Sequence, residues 1–189
     1  MEDLAAMLRA IGQPVHLLGH STGGILALLG AQSGHHLLSL MLYQPAFVVE
    51  GAGKWPGTET LAKMQSLLAL GDRGEVVQMA IRETLELPEG ELAAMAAGPG
   101  WDPLLSAAHT IPYDWMVWHQ PLAEERVHAG RTPVLLLLGS ESPQWLQMGT
   151  KAVFAALPDA RLQVLAGQHH LATVTPPQRF AQASSGLGR

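Results

Sequence analysis

Val15-His16-Leu17-Leu18-Gly19-His20-Ser21-Thr22-Gly23-Gly24-Ile25-Leu26-Ala27-Leu28-Leu29-Gly30-Ala31 is the stretch on which the fold turns. Val15–Leu18 reads as a short apolar strand. Gly19–Gly24 is a tight turn, and Ile25–Ala31 continues as a buried helix. Within the turn, Gly19-His20-Ser21-Thr22-Gly23 has the form G-x-S-x-G, in the strand–turn–helix setting that this motif needs. A serine on so sharp a turn projects its Oγ beyond the carboxyl end of the strand. The backbone there is strained, so its neighbours must be small, hence Gly19 and Gly23, and Gly24 extends the clearance. The N-terminus of the following helix supplies N–H groups for a developing negative charge, and the N–H of Thr22 is the expected oxyanion donor.

Outward from this turn the pattern repeats. Upstream, residues 2–11 place Leu4, Met7, Leu8 and Ile11 on one helical face, and Gly12 and Pro14 end the helix. Downstream, Leu38–Tyr43 reads as a second strand closed by Pro45. Val134–Leu138, after Pro133, fits a central parallel strand. Lys151–Leu157 reads as a helix ended by Pro158, Leu162–Leu165 as a last strand and Pro177–Ala183 as a last short helix. Strands that alternate with helices imply parallel βαβ units and an α/β class.

The middle of the chain differs. Residues 54–128 show helical periodicity and almost no strand signal: Leu61, Met64, Leu67 and Leu68, then Val76, Val77, Ala80 and Ile81, then Leu92, Met95 and Ala96. This segment carries 11 of the 16 acidic residues and 5 of the 11 basic ones, and so a net charge of −6 against about +1 for the remainder. Trp55, Trp101, Trp115 and Trp118, four of the five tryptophans, lie here too. Such a shift marks a helical insertion between two strands, with a core assembled from residues 1–53 and 129–189. The Trp and Met side chains of the insertion first of all form its own core, and some could line an apolar pocket.

Composition narrows the function. With 48% hydrophobic and 14% charged residues in 189, the chain can bury a core, and its length suits one ordinary domain. A net charge of −5 with no basic block argues against a nucleic-acid partner. The absence of cysteine excludes disulfides, thiolate metal sites and a cysteine nucleophile. Residues 1–12 read as an acidic amphipathic segment, without the basic and apolar regions expected of a targeting sequence. From Ala10 to Val49 there are 40 residues without Asp, Glu, Lys or Arg, but His, Gly and Pro interrupt them, and elements buried on both faces explain the run better than a membrane span. A cytoplasmic protein acting on a small molecule, with no membrane partner, is expected. His16 and His20, or His35 and His36, have no carboxylate companion, so no metal site is expected. Asp102 and Asp114 suit helix caps or surface charge, and Asp159 a turn.

A serine nucleophile needs a base. Among nine histidines, His170 follows the last strand in Leu165-Ala166-Gly167-Gln168-His169-His170, where a loop can carry an imidazole over the nucleophile. His169 is the nearest alternative. His20, beside Ser21, is expected to line the pocket. The base in turn needs an orienting carboxylate. After strand 134–138 the chain reads Gly139-Ser140-Glu141-Ser142-Pro143, in which Glu141 is the one carboxylate. The order Ser21, Glu141, His170 is one of the orders in which such triads occur.

These motifs resemble those of the α/β-hydrolase fold family, and within it the small bacterial serine hydrolases with a helical cap. Gly19–Gly24 is similar to the nucleophile elbow, Leu42-Tyr43-Gln44-Pro45 to the end of the next strand, Pro133–Pro143 to the acid-bearing strand and loop, and Leu165–His170 to the histidine loop, where many members read L-P-G-x-G-H. The alignment selects His170. The resemblance implies a partial α/β-hydrolase fold with a mostly parallel sheet and with 54–128 as an all-helical cap over the site. It implies an acyl–enzyme mechanism on an ester, thioester, lactone or amide, without cofactor. An acyltransferase on the same triad, or an impaired chain that only binds, are the alternatives. Three departures accompany it. The usual acid position is Ser142, one residue after Glu141. The position used after the earlier strand in some members holds Gln44, with Glu50 further on. The family also has further strands before residue 2 and a longer last helix, so an N-terminally incomplete sequence with an exposed sheet edge is expected.

Overall fold

A computed structural model of the chain describes residues 2–51, 57–118, 127–173 and 177–184. Contacts divide the chain into two compact units, one of residues 1–52 and 121–189, the other of residues 53–120.

The first unit is built on four strands, β1 (Val15–His20), β2 (Leu37–Tyr43), β3 (Val134–Gly139) and β4 (Arg161–Leu165), in the order β1-β2-β3-β4 and all parallel. Its helices are α1 (Glu2–Ile11), α2 (Thr22–Ala31), α8 (Gln144–Ala156) and α9 (Pro177–Ser184). The α/β class expected from strand–helix alternation is the class observed. Register brings the carboxyl ends of the strands together: His20 pairs with Tyr43, Tyr43 with Leu137, and Gly139 with Leu165. Parallel strands therefore deliver the loops that follow them to one end of the sheet.

Burial follows from position in the sheet. Every residue of β3 is buried, whereas β1 and β4 take a strand on one side only among the described residues and leave Leu18 and Val164 about half exposed. A continuous run of leucines suits a strand covered on both faces. Leu135 and Leu137 join Tyr43, Leu165, Ala172 and Phe180 in one cluster, with Met41 packed against it. Each fully buried leucine contributes roughly 1.5–3 kcal/mol. Helix α2 packs on β1 and β2, α8 on β3, and α9 on β4. Gly30 admits α1 closely, because a Cβ there would stand 2.7 Å from Leu4 Cδ2.

Helix α8 begins seven residues before the sequence-based expectation of 151. Pro143 stands at its N-cap, and Trp145, Leu146, Gly149, Thr150 and Val153 are buried. Gly149 and Thr150 weaken helical propensity, but Gly149 is set where any Cβ would collide with the carbonyl oxygen of Phe47.

The second unit holds α3 (Thr58–Ala69), α4 (Arg73–Leu85), α5 (Glu89–Ala96), α6 (Trp101–Ala107) and α7 (Ile111–Trp118), with a 3-10 turn, Ala108–Thr110, before α7. Met64, Val76, Val77, Leu92, Trp115 and Trp118 are buried, and the rings of Trp115 and Trp118 lie 4.8 Å apart. Asp72 caps α4 by accepting from the N–H of Glu75 at 3.0 Å. Asp102 and Asp114 fall in the first turns of α6 and α7, where a carboxylate is favoured by the helix dipole. Trp55 lies outside the described residues.

Candidate active site

Ser21 sits between β1 and α2 with φ 56° and ψ −124°, a region that costs a non-glycine residue about 1–3 kcal/mol. The neighbouring strand and loop hold it there. Its N–H donates to the carbonyl of Tyr43 at 3.0 Å, and its own carbonyl accepts from Gly24 at 2.9 Å and Ala46 at 3.2 Å. The small residues around it do unequal work. A Cβ on Gly19 would collide with the Gly23 carbonyl and approach Ala27 Cβ to 2.7 Å, and one on Gly24 would stand 2.9 Å from Pro45 Cα. A Cβ on Gly23 would meet nothing within 4 Å. The clearance that the turn needs comes from Gly19 and Gly24, whereas Gly23 was expected to share it. Thr22 opens α2 directly after Ser21.

His170, in the loop after β4, is 6% exposed. It reaches the elbow through His20: the Nε2–H of His20 donates to the His170 carbonyl at 2.9 Å, and the two rings lie 4.5 Å apart. Tyr43 stacks on His20 at 5.1 Å and packs on Phe180 at 5.0 Å. Its hydroxyl donates to the carbonyl of His169. The His169 ring turns back on its own loop, where its Nδ1 accepts from the N–H of Leu171 at 3.1 Å. Of the two adjacent histidines, His170 is the one whose ring faces the ends of β1 and β2.

The partner of that ring is not Glu141. His170 Nδ1 lies 3.1 Å from Oε1 of Gln44, which is fully buried at the end of β2. Glu141 is exposed, and its Oε1 accepts from Ser140 Oγ at 3.0 Å. Glu141 is hydrogen-bonded to the histidine loop through its backbone, its N–H donating to the Gln168 carbonyl at 2.9 Å. Ser142, at the usual acid position, is buried, and its carbonyl accepts from Gln147 at 2.8 Å. Sequence reasoning therefore brought Ser21, His20 and His170 to one place, but named Glu141 as the orienting residue and set aside Gln44, at the alternative acid position, which is the contact at the imidazole. The available signal was its position immediately after β2. An amide offers no titratable side chain, so a search for carboxylates passes over it.

Burial dominates the electrostatics. It pushes the imidazole of His170 well below its ordinary range, and the neighbouring His20 and His169 add to that by opposing a second positive charge. Burial also lowers His20, against a smaller upward pull from its bond to the His170 carbonyl. The Tyr43 phenol is pushed up to about 12, mainly by burial, with the backbone of Ala172 acting in the opposite direction. All three groups are thus held neutral near pH 7. Among the described residues no cluster of three or more His, Asp or Glu side chains could hold a metal ion, and no helix is long and apolar enough to cross a membrane.

A four-stranded parallel sheet with a strained serine after β1 and a histidine loop after β4 defines a class, and comparison bears on it directly. The model of the alpha/beta hydrolase family matches residues 1–183, and the chain belongs to that family. An alpha/beta hydrolase from Sphaerobacter thermophilus is 30% identical with a TM-score of 0.79, over 88% of this chain and 65% of its own. A hydrolase from Pseudomonas aeruginosa is 21% identical with a TM-score of 0.70, over 98% of this chain and 69% of its own. A thermophilic esterase from Thermogutta terrifontis is 19% identical with a TM-score of 0.72, over 97% and 68%. The chain thus spans about two thirds of the length of these structures. Among curated proteins none matches it.

Proposed function

We propose that the protein is a serine hydrolase that cleaves an ester, thioester, lactone or amide bond of a small molecule through an acyl–enzyme. The observation that carries this reading is the left-handed backbone of Ser21 between a parallel strand and a helix. Such strain persists only where the surroundings hold it, and here three backbone hydrogen bonds do so. His170 stands at the same end of the sheet, buried and neutral, as a general base must be.

In this mechanism Ser21 Oγ attacks the carbonyl carbon and its proton passes to Nε2 of His170. The oxyanion that forms is stabilised by the backbone N–H of Thr22 at the start of α2. The imidazolium then protonates the leaving alcohol, thiol or amine. Water, deprotonated by the same nitrogen, releases the acid and restores Ser21. His20 lines the site beside the nucleophile. Glu141, the carboxylate nominated by the sequence, takes no part at the imidazole in this scheme. Transfer of the acyl group to an alcohol or amine in place of water uses the same steps.

The neutral amide at His170 favours one other reading, a binding protein on a hydrolase scaffold. Fluorophosphonate labelling separates the two. The wild-type chain should label on Ser21, and Ser21→Ala should lose both labelling and turnover of an activated ester, by roughly 10⁴–10⁶-fold in rate. A folded wild-type chain that never labels would leave only the binding reading.

A further inference from the structure

We infer that Gln44 positions the catalytic imidazole, its side-chain oxygen holding His170 as the Nδ1–H tautomer with no carboxylate in the relay. This rests on the hydrolase reading and deepens it. With the amide oxygen turned to the ring, as the structure places it, Oε1 of Gln44 can only accept, and the 3.1 Å approach then puts the hydrogen on Nδ1 of His170. A neutral imidazole carries one hydrogen, which leaves Nε2 with its lone pair free for the Ser21 proton. An amide turned the other way would donate to Nδ1, place the hydrogen on Nε2 and disable the base.

The backbone supports a dedicated placement. Gln44 has φ 45°, a left-handed conformation rare for a residue with a Cβ. Its N–H donates to the Leu137 carbonyl at 3.1 Å, which fixes the turn on the neighbouring strand. Pro45 follows against Gly24 of the elbow. The strand that carries Tyr43, and through it the Ser21 N–H, thus continues directly into the residue that meets His170.

An amide differs from a carboxylate in one respect that can be measured. Both accept from Nδ1, but only the carboxylate neutralises the imidazolium that forms during catalysis. The groups that face His170 are His20 from β1, Tyr43 and Gln44 from β2, and His169 in its own loop. None of them supplies a negative charge near pH 7. The imidazole therefore stays unprotonated in mildly acid solution, and the acid limb of the reaction lies below the ordinary histidine value of about 6.5. Introducing a carboxylate favours the charged form and moves that limb up.

Two measurements on the full chain test this. Nitrogen-15 NMR of the histidine-labelled wild type at pH 7.5 should show His170 protonated at Nδ1 and unprotonated at Nε2. A hydrogen on Nε2 overturns the inference, and this readout needs neither activity nor a variant. Second, the rate of fluorophosphonate labelling against pH is compared for wild type, Gln44→Glu and Gln44→Leu, each shown to be folded by circular dichroism. The acid limb should rise by about one pH unit or more in Gln44→Glu. Labelling should slow by roughly 10-fold or more in Gln44→Leu, where nothing selects the tautomer. Coincident profiles in wild type and Gln44→Glu overturn the role of Gln44 while leaving the serine hydrolase intact. No labelling of the folded wild type at any pH overturns the hydrolase reading, and with it the catalytic meaning of Gln44.

Discussion

Two loops leave the carboxyl end of the sheet side by side, one after β2 and one after β3, and they treat His170 differently. The β2 loop offers it a side chain: Gln44, fully buried, with Oε1 at the imidazole nitrogen. The β3 loop offers only a scaffold. Ser140 N–H donates to the Leu165 carbonyl at 3.1 Å, Ser140 Oγ accepts from the Gly167 N–H at 2.9 Å, and Glu141 N–H donates to the Gln168 carbonyl at 2.9 Å. All three bonds clasp the backbone that precedes His170, and none touches its ring. The difference lies in one residue of register. Ser142 is buried and Glu141 is exposed, so a carboxylate placed one position early turns to solvent. The contact at the His170 ring is made instead by a buried amide, Gln44, directly after the neighbouring strand.

If the β3 loop acts as a clasp, its largest effect should come from its tightest approach. A Cβ on Gly139 would stand 2.5 Å from the Gln168 carbonyl oxygen and 2.9 Å from Ser142 Oγ. The first of these is backbone and cannot turn aside. Gly139→Ala should displace the histidine loop, slow labelling of Ser21 by roughly 10² and destabilise the fold by about 1–3 kcal/mol. Both are read from one purified variant, by labelling kinetics and urea denaturation. A folded variant that labels at the wild-type rate would show that this loop does not set the position of His170.

A smaller effect is expected from the clasp's side chain. Ser140→Ala removes the acceptor for the Gly167 N–H but leaves the two backbone bonds in place. The exposed donation from Ser140 to Glu141 goes too and contributes little, so a net loss of about 1 kcal/mol follows, read as a fall of about 2–4 °C in melting temperature. Labelling should slow far less than in Gly139→Ala. An equal loss in both would mean that Ser140 does more at the site than hold a loop.

How far the pattern of residues foretold this depends on the kind of signal. Strand β3 was legible because Val134–Leu138 is apolar without interruption, as a strand covered on both faces must be, and the other strands because shorter apolar runs alternate with helical segments. Ser21 was legible because glycines bracket it between a strand and a helix. His170 needed the resemblance to separate it from His169, since adjacent residues in a loop carry no periodicity. The start of α8 was hidden by Gly149 and Thr150, whose low propensity is overridden by close packing on Phe47 and by burial. Gln44 was hidden more deeply. Its part rests on a left-handed backbone and on a contact 126 residues away along the chain. Its place after β2 could be read as an alternative acid position, but neither the backbone conformation nor the contact could, and the side chain lacks the charge by which an orienting residue is usually sought.

The smallest effect is the most telling one for the comparison. Glu141 was nominated because it is the one carboxylate after β3, and Glu141→Gln keeps its size and its backbone bond to Gln168 while removing its charge. An orienting carboxylate would be costly to neutralise, since the imidazolium would lose its counter-ion in a dry site. An exposed carboxylate that only accepts from Ser140 is screened by water and contributes little. Glu141→Gln should therefore label within about twofold of the wild type and lie within about 0.5 kcal/mol of its stability. The matched pair decides between the loops. Adding a charge at position 44 should move the pH profile, and removing one at position 141 should leave it where it was. A large loss in Glu141→Gln, with Gln44→Glu silent, would reverse the assignment and return the orienting role to the β3 loop.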